Sequence, residues 1–404
     1  MSTPNSKHLK ILMMTWEYPP RIIGGISRVV EGLSRALATV GHEVHVVTPE
    51  MPGSPLEDND QGVFIHRVRI ESPTPSFHSW VLMMNHYLAK RVGRLINEIG
   101  NFDIVHVHDW LVLPSGSETK AFGNSTMVST LHSLEYKRSG GVNTPESKMV
   151  DSLEWWITFE SALIIVCSMS MKNDTITGFG VPEDKIWIIP IGVDAEKFRK
   201  CHPDRESVRA KYGAYHGEKL ILFVGRLTQQ KGCEYLIQAI PQISKQFNTK
   251  LVVVGDGSYR EELESIAKAS DGHKIRFTGF LPDNDLTELF LCADVLVIPS
   301  IYEPFGVVAL EAMAAGLPIV ASNVDGLGEI VVHERNGILV YPKDTSSIAW
   351  GISRIFSDST NTQRLIENAN NDIRTRFSWD AVAGLTLDLY RKALLIESSR
   401  KRET

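Results

Sequence analysis

Two carboxylates set eight residues apart, Glu303 and Glu311, frame the stretch EPFGVVALEAMAAG, which runs from Glu303 to Gly316. Each ionised carboxylate accepts several strong hydrogen bonds, so such a pair suits a ligand rich in hydroxyls. Two cations, Arg226 and Lys231, lie five residues apart in GRLTQQKG. Arg grips a diphosphate as a fork and Lys as a point charge, so the two together suit that anion. Taken one at a time, these residues also fit a plain exposed helix and a solvated loop. The elements that carry them separate the readings.

An apolar run, Asp294 to Pro299, precedes the stretch, and Ile319 to Ser322 follows it, giving strand, loop, helix, strand. Pro304 favours an extended Glu303 in the loop just past the strand. Gly316 suits the position beyond a helix C-terminus. In open α/β sheets ligands bind outside the carboxyl ends of the strands, where this pattern puts Glu303. The amides of Phe305, Gly306, Val307 and Val308 then lead into a helix whose orphan N–H groups and dipole favour an anion. Arg226 and Lys231 follow a strand at Ile221 to Val224 and sit at the same kind of edge.

Further strands are expected at Lys10 to Thr15, Val44 to Thr48, Val63 to Ile70, Ile104 to His108, Met127 to His132 and Leu163 to Cys167. A second series restarts near Lys219, with strands at Lys250 to Val254, Ile275 to Phe277 and Ile338 to Val340. Ile26, Val29, Val30, Leu33, Leu37 and Val40 recur at helical spacing, and helices are expected over Trp80 to Ile99, Cys233 to Phe247 and Trp379 to Leu395. This alternation argues for α/β domains with parallel sheets covered on both faces. The boundaries expected are residues 1–200 and 201–378, with Pro190 to Glu218 read as a polar linker. The tail from Glu397 to Thr404 is expected to fray.

Glu303-Pro304-Phe305-Gly306 with Glu311 closely resembles the nucleotide-sugar motif of glycosyltransferase family 4. That family contains retaining enzymes of the GT-B fold, with glycogen and starch synthases as near relatives. The resemblance implies two doubly wound, Rossmann-like domains facing a central crevice, and a closing helix, about residues 379–404, packed back on the first. It implies that Glu303 faces the donor sugar, that Glu311 holds the ribose hydroxyls, and that Arg226 and Lys231 neutralise the leaving diphosphate. Tyr18 to Ile26, YPPRIIGGI, is similar to the family's first-domain glycine loop, which puts Gly24 and Gly25 against the donor diphosphate and the acceptor. The spacing is not G-x-G-x-x-G, so a dinucleotide reading fails. Glycogen synthases typically carry a Lys just ahead of these glycines; here Ile22 and Ile23 stand there, and Arg21 is the nearest cation. His132, in TLHS, matches the family's His that meets the donor sugar. Asp109 and Trp110, in HVHDW, match the acceptor side. Asp325 to Glu329 is expected beside the donor and Gly279 to Leu281 near the base, while Gly255 to Ser258 is read foremost as a helix entry turn, with flanking of the nucleotide as the alternative.

The expected activity is hexosyl transfer, glucosyl foremost, from a UDP-, ADP- or GDP-sugar to a saccharide, an α-glucan being the leading acceptor. The alternatives are a small polyol, a glycerate or a lipid-linked acceptor, a nucleotide-sugar epimerase of the same fold, and a two-lobed sugar-binding protein. No cofactor and no metal is expected. The H-x-H pair His106 and His108 is read as a strand face rather than a metal site, with His108 at the strand edge as a candidate for ligand binding alone. The strings Asp58-Asn59-Asp60 and Asp283-Asn284-Asp285 are read as a polar turn and a helix entry with Asp283 as N-cap.

The chain has 404 residues, 43% hydrophobic and 22% charged, with net charge −6, and an isoelectric point near 6.1. These values fit an ordinary globular protein of two or three domains and give no basic stripe for nucleic acid. The four cysteines, Cys167, Cys201, Cys233 and Cys292, are too scattered for a zinc site or a disulfide framework, so free thiols in the cytoplasm are expected. The first ten residues lack a long apolar region, so no signal peptide is expected, and no run approaches a membrane span. The oligomeric state is not legible.

Overall fold

The computed structural model describes residues 8–403. The chain forms two compact units, Met1–Gly192 with Trp379–Thr404, and Val193–Ser378.

The first unit is built on eight strands: β1 (Lys10–Met14), β2 (Glu43–Pro49), β3 (Glu57–Asp60), β4 (Val63–Val68), β5 (Ile104–His108), β6 (Thr126–Leu131), β7 (Leu163–Val166) and β8 (Ile186–Ile188). They lie in the order β3-β4-β2-β1-β5-β6-β7-β8. Every neighbouring pair is parallel except β3 with β4. The second unit has β9 (Lys219–Val224), β10 (Thr249–Val254), β11 (Ile275–Gly279), β12 (Val295–Ile298), β13 (Ile319–Ser322) and β14 (Ile338–Val340). Its order is β11-β10-β9-β12-β13-β14, parallel throughout. The central strands are buried along nearly their whole length, as sheets covered on both faces require. In each sheet the winding reverses beside the first strand, between β1 and β5 and between β9 and β12. Ligands bind outside the strand ends at such a reversal.

The amphipathic pattern after β1 folds as the helix Gly25–Thr39, burying Val29, Val30, Leu33, Ala36 and Leu37. The last helix, Trp379–Glu403, belongs to the first unit, where Val382, Leu387, Leu389 and Tyr390 join the core. Burying each such side chain contributes about 1.5–3 kcal/mol. Its Trp379 ring lies against two backbone stretches: a Cβ on Gly32 would fall 2.0 Å from Trp379 Cε2, and one on Gly192 2.5 Å from Cδ2.

Several expectations need correction. The presumed linker holds two helices, Glu196–Lys200 and Arg205–Lys211, within the second unit. Asp204 caps the second, and Arg209 donates to Asp294 Oδ2 at 2.9 Å, so the polar residues of this stretch are tied down. The tail expected to fray stays helical to Glu403; Thr404 lies outside the described residues. Asp58-Asn59-Asp60 is not a turn but part of the edge strand β3, and β8 went unread. Asp283 is the first residue of its helix rather than the cap, which is Pro282. Among the described residues no helix is long and apolar enough to cross a membrane.

Candidate functional site

In the second unit the loops after β9 and β12 are fastened to each other. Ile301 N donates to Gln230 O at 2.7 Å. Gly232 has φ +61, and a Cβ there would fall 2.1 Å from Pro299 O, so only glycine lets the two backbones approach this closely. The consequence is chemical. Lys231 Nζ reaches Glu303 Oε2 at 2.6 Å, with Ser300 Oγ donating to the same oxygen at 3.2 Å. Glu303 N donates to Asp325 Oδ2 at 3.2 Å, which ties the loop to the end of β13. The pair is mostly shielded, with side-chain exposures of 22% and 14%, so its attraction is stronger than that of a surface ion pair.

Three residues on, Gly306 caps the helix Val307–Ala314 with φ +110. A side chain here would meet Leu327 Cδ1 at 2.9 Å. The helix start has no acidic residue in its first turn and, among the described residues, no side-chain cap. Phe305 is buried and packs edge-on to Phe377 at 6.3 Å, so its backbone alone is available to a ligand; Val307 and Val308 are half-buried. Glu311 lies inside the helix and pairs with Lys197 Nζ at 2.9 Å. Lys197 was invisible in sequence because its helix sits in the supposed linker. Arg226 is exposed, and its guanidinium makes no hydrogen bond or ion pair among the described residues. The structure thus joins Lys231 to Glu303 but bonds Arg226 to neither.

The loops after β9 and β10 also interlock, with Gly225 N donating to Val254 O at 3.0 Å and Leu227 N to Asp256 O at 2.9 Å. A Cβ on Gly255 would fall 1.9 Å from Gly225 O. Close backbone packing accounts for the glycines of Gly255 to Ser258. Gly255 N donates to Gly279 O at 2.9 Å.

In the first unit, the glycine loop follows β1, but Glu17 occupies its amides. Ile23 N and Gly24 N donate to Glu17 Oε2 at 2.6 and 2.7 Å. Glu17 is 1% exposed and its Oε1 has no hydrogen-bond partner among the described residues. Burial pushes its carboxyl upward, and the bonds from Gly24 and Ile23 pull the other way. Arg21 lies over the Trp80 ring at 5.1 Å. Gly24 caps the helix that begins at Gly25.

Past β5, Asp109 has φ +64 and is buried. Its Oδ1 accepts from His132 N at 2.7 Å, so it bridges the ends of β5 and β6. Trp110 is buried in the turn that follows. His132 is half-buried, and its Nε2 lies 3.2 Å from His108 Nδ1. The expectation that His108 meets a ligand at an edge is corrected: it is fully buried. His106, also buried, bonds Tyr390 Oη and Thr130 Oγ1, each at 2.7 Å. Burial lowers all three imidazoles, His106 to about 3. The segment after His132 is held by Glu154, whose two oxygens accept from Glu135 N at 3.0 and 2.8 Å. Burial raises the Glu154 carboxyl to about 8.

The D-x-D aspartates are engaged elsewhere: Asp58 with Arg67, Asp60 with Arg35, and Asp285 with Lys211. Among the described residues no group of three or more His, Cys, Asp or Glu is gathered as a metal site.

Residues 204–372 match the family described as Glycosyl transferases group 1, and residues 23–197 match Glycosyltransferase Family 4. An uncharacterized glycosyltransferase of Methanocaldococcus jannaschii is 42% identical over 96% of this chain and 99% of its own length. A glycogen synthase of Mycobacterium tuberculosis is 34% identical over 95% of each chain. Among solved structures, sucrose-phosphate synthase from Thermosynechococcus elongatus superposes with TM-score 0.82 at 26% identity, covering 96% of this chain and 100% of that one. With two parallel α/β sheets and full-length matches of this kind, the chain belongs to the family 4 glycosyltransferases of the GT-B fold.

Proposed function

We propose that this glycosyltransferase moves a glucosyl group from a nucleoside diphosphate glucose to a saccharide acceptor, an α-glucan foremost, with retention of anomeric configuration. The observation that carries the reading is the 2.6 Å pair of Lys231 and Glu303 beside a helix start with no side-chain cap. A cation, a carboxylate and open amides at one strand edge suit a sugar diphosphate, which is anionic at one end and hydroxylated at the other. The likeness to a glycogen synthase over nearly the whole chain supports the glucan acceptor.

Expelling the nucleoside diphosphate breaks the bond between the anomeric carbon and the β-phosphate oxygen, and the pair of electrons leaves with the phosphate. Lys231, Arg226 and the amides of Val307 and Val308 stabilise that charge. When the diphosphate takes Lys231, Glu303 is released to hold sugar hydroxyls beside the cationic anomeric carbon. Glu311 accepts from the ribose hydroxyls, with Lys197 orienting it. The acceptor hydroxyl enters on the face the phosphate leaves, and a phosphate oxygen takes its proton. Lys231, Arg226 and the helix supply the positive charge in this reading, so activity is expected to persist in EDTA; strict dependence on Mn²⁺ or Mg²⁺ would contradict it.

The test is incubation with UDP-, ADP- and GDP-glucose plus maltooligosaccharides, and NMR of the product. An α-linked, lengthened glucan is expected. A β-linkage overturns retention, and transfer only to a small polyol or glycerate overturns the glucan acceptor. Conversion of the sugar nucleotide without any acceptor would mark an epimerase.

A further inference from the structure

His132 and His108 share one hydrogen bond between neutral rings, and the geometry limits which way it runs. The line is His108 Nδ1 to His132 Nε2 at 3.2 Å, with the rings stacked at 20° and 5.5 Å between centroids. Each neutral imidazole carries one proton on one of its two nitrogens. His108 Nε2 is buried and has no hydrogen-bond partner among the described residues. If His132 donated, His108 would hold its proton on that buried Nε2 and leave an N–H group orphaned. Genuinely orphaned buried N–H groups are rarer than under-satisfied acceptors. If His108 donates from Nδ1, only a lone pair is left bare. On the other side of His108 the ring of His106 lies 4.2 Å away, and both nitrogens of His106 are already bonded, to Tyr390 and Thr130. His106 therefore offers His108 no alternative partner.

We infer that His108 is a positioning residue that fixes the tautomer of His132, so that His132 presents Nδ1–H outward as a hydrogen-bond donor. The chemistry at the site follows. The outward nitrogen of His132 then offers a proton to a sugar oxygen and has no lone pair with which to take the acceptor's proton. This histidine is then not the base that takes the acceptor's proton. This deepens the proposed function and rests on His132 facing the donor, but the tautomer itself can be read without any substrate.

The experiment labels the full chain with ¹⁵N-histidine and records two-bond ¹H–¹⁵N correlations at neutral pH, with His132 assigned from the peak lost in H132Q. The expected result is a protonated Nδ1 and bare Nε2 on His132, and a protonated Nδ1 on His108. A proton on Nε2 of His132 overturns the inference, whatever the activity. In H108L, His132 should shift toward Nε2–H. Its kcat should fall by about 10–100-fold, by analogy with the loss of an outer partner that orients a metal-bound histidine, with nucleotide affinity unchanged. H108N, which keeps a donor near the position of Nδ1, should restore both the tautomer and most of the rate. An unchanged His132 tautomer in H108L would also overturn the inference. If H132A transfers sugar normally, the role of His132 at the donor falls while the tautomer assignment stands.

Discussion

Both sheets reverse their winding beside the first strand, and at each reversal a helix begins, but the two helix starts are neutralised differently. The helix Gly25–Thr39 of the first unit has a carboxylate of its own chain against its entry, because Ile23 N and Gly24 N donate to Glu17. In the second unit the nearby carboxylate, Glu303, turns to Lys231, and the helix Val307–Ala314 begins at a glycine with no side-chain cap among the described residues. A helix start carries roughly half a positive charge. That charge is met from inside in the first unit and is left for an outside anion in the second. Under the proposed function, the second helix start takes the donor's diphosphate, while the first unit gathers neutral imidazoles and a buried carboxylate. The two helix starts follow different strands, β1 and β12, and the glutamate near each takes a different partner: Glu17 the loop amides, Glu303 the Lys231 ammonium.

The largest effect should come from breaking the second site at its carboxylate. E303Q is expected to abolish nearly all transfer while nucleotide binding survives; near-normal turnover would remove Glu303 from the chemistry. K231A and R226A should each lower kcat by roughly 10²–10³, the usual loss for one preorganised electrostatic donor. A double-mutant cycle should show them non-additive if both grip one diphosphate. Full additivity would put them at separate sites.

E311A should act on binding more than on rate, since it removes charged hydrogen bonds worth roughly 1.5–3 kcal/mol each. A donor KM equal to that of the wild type would count against the ribose role. In the first unit, E17A leaves the amides of Ile23 and Gly24 without their acceptor. It should lower stability by roughly 1–3 kcal/mol while leaving nucleotide affinity intact, which a calorimetric scan and a titration would check together.

A further effect, on stability and not on transfer, is one of pH. The Glu154 carboxyl is raised from its ordinary value of 4.5 to about 8 in the folded state. The folded chain therefore holds a proton there that the unfolded chain has released. Stability should fall between about pH 4.5 and 8, by at most about 1.4 kcal/mol per pH unit. E154Q should flatten that slope in denaturant titrations at several pH values. An equal slope in both proteins would mean that Glu154 does not hold the proton.

Strands such as Ile104–His108, Ile319–Ser322 and Ile338–Val340 were legible to the residue, because buried parallel strands are short apolar runs bounded by turn residues. The edge strand β3 was not, since Glu57–Asp60 is polar throughout and owes its conformation to pairing with β4. The stretch around Glu303 was readable because Pro304, Gly306 and Gly316 punctuate it locally. The groups that complete the sites were not. Lys197 reaches Glu311 across 114 positions, Lys231 reaches Glu303 across 72, and His108 reaches His132 across 24. The sequence marked Lys231, Glu303 and His132 as site candidates, but only folding shows which partner each one takes. Glu17 carried no periodic or motif signal, and its role depends on a loop that turns two amides back on it.

The claim that the nucleoside diphosphate is held by the second unit's reversal point is tested most directly by isothermal titration with UDP and ADP. The proteins to compare are the wild type, the double variant R226A/K231A and E17Q. The double variant is expected to lose at least about tenfold in affinity, as removing charge-assisted bonds to a phosphate should, while E17Q binds as the wild type does. Undiminished affinity in the double variant, with loss in E17Q, would contradict the account.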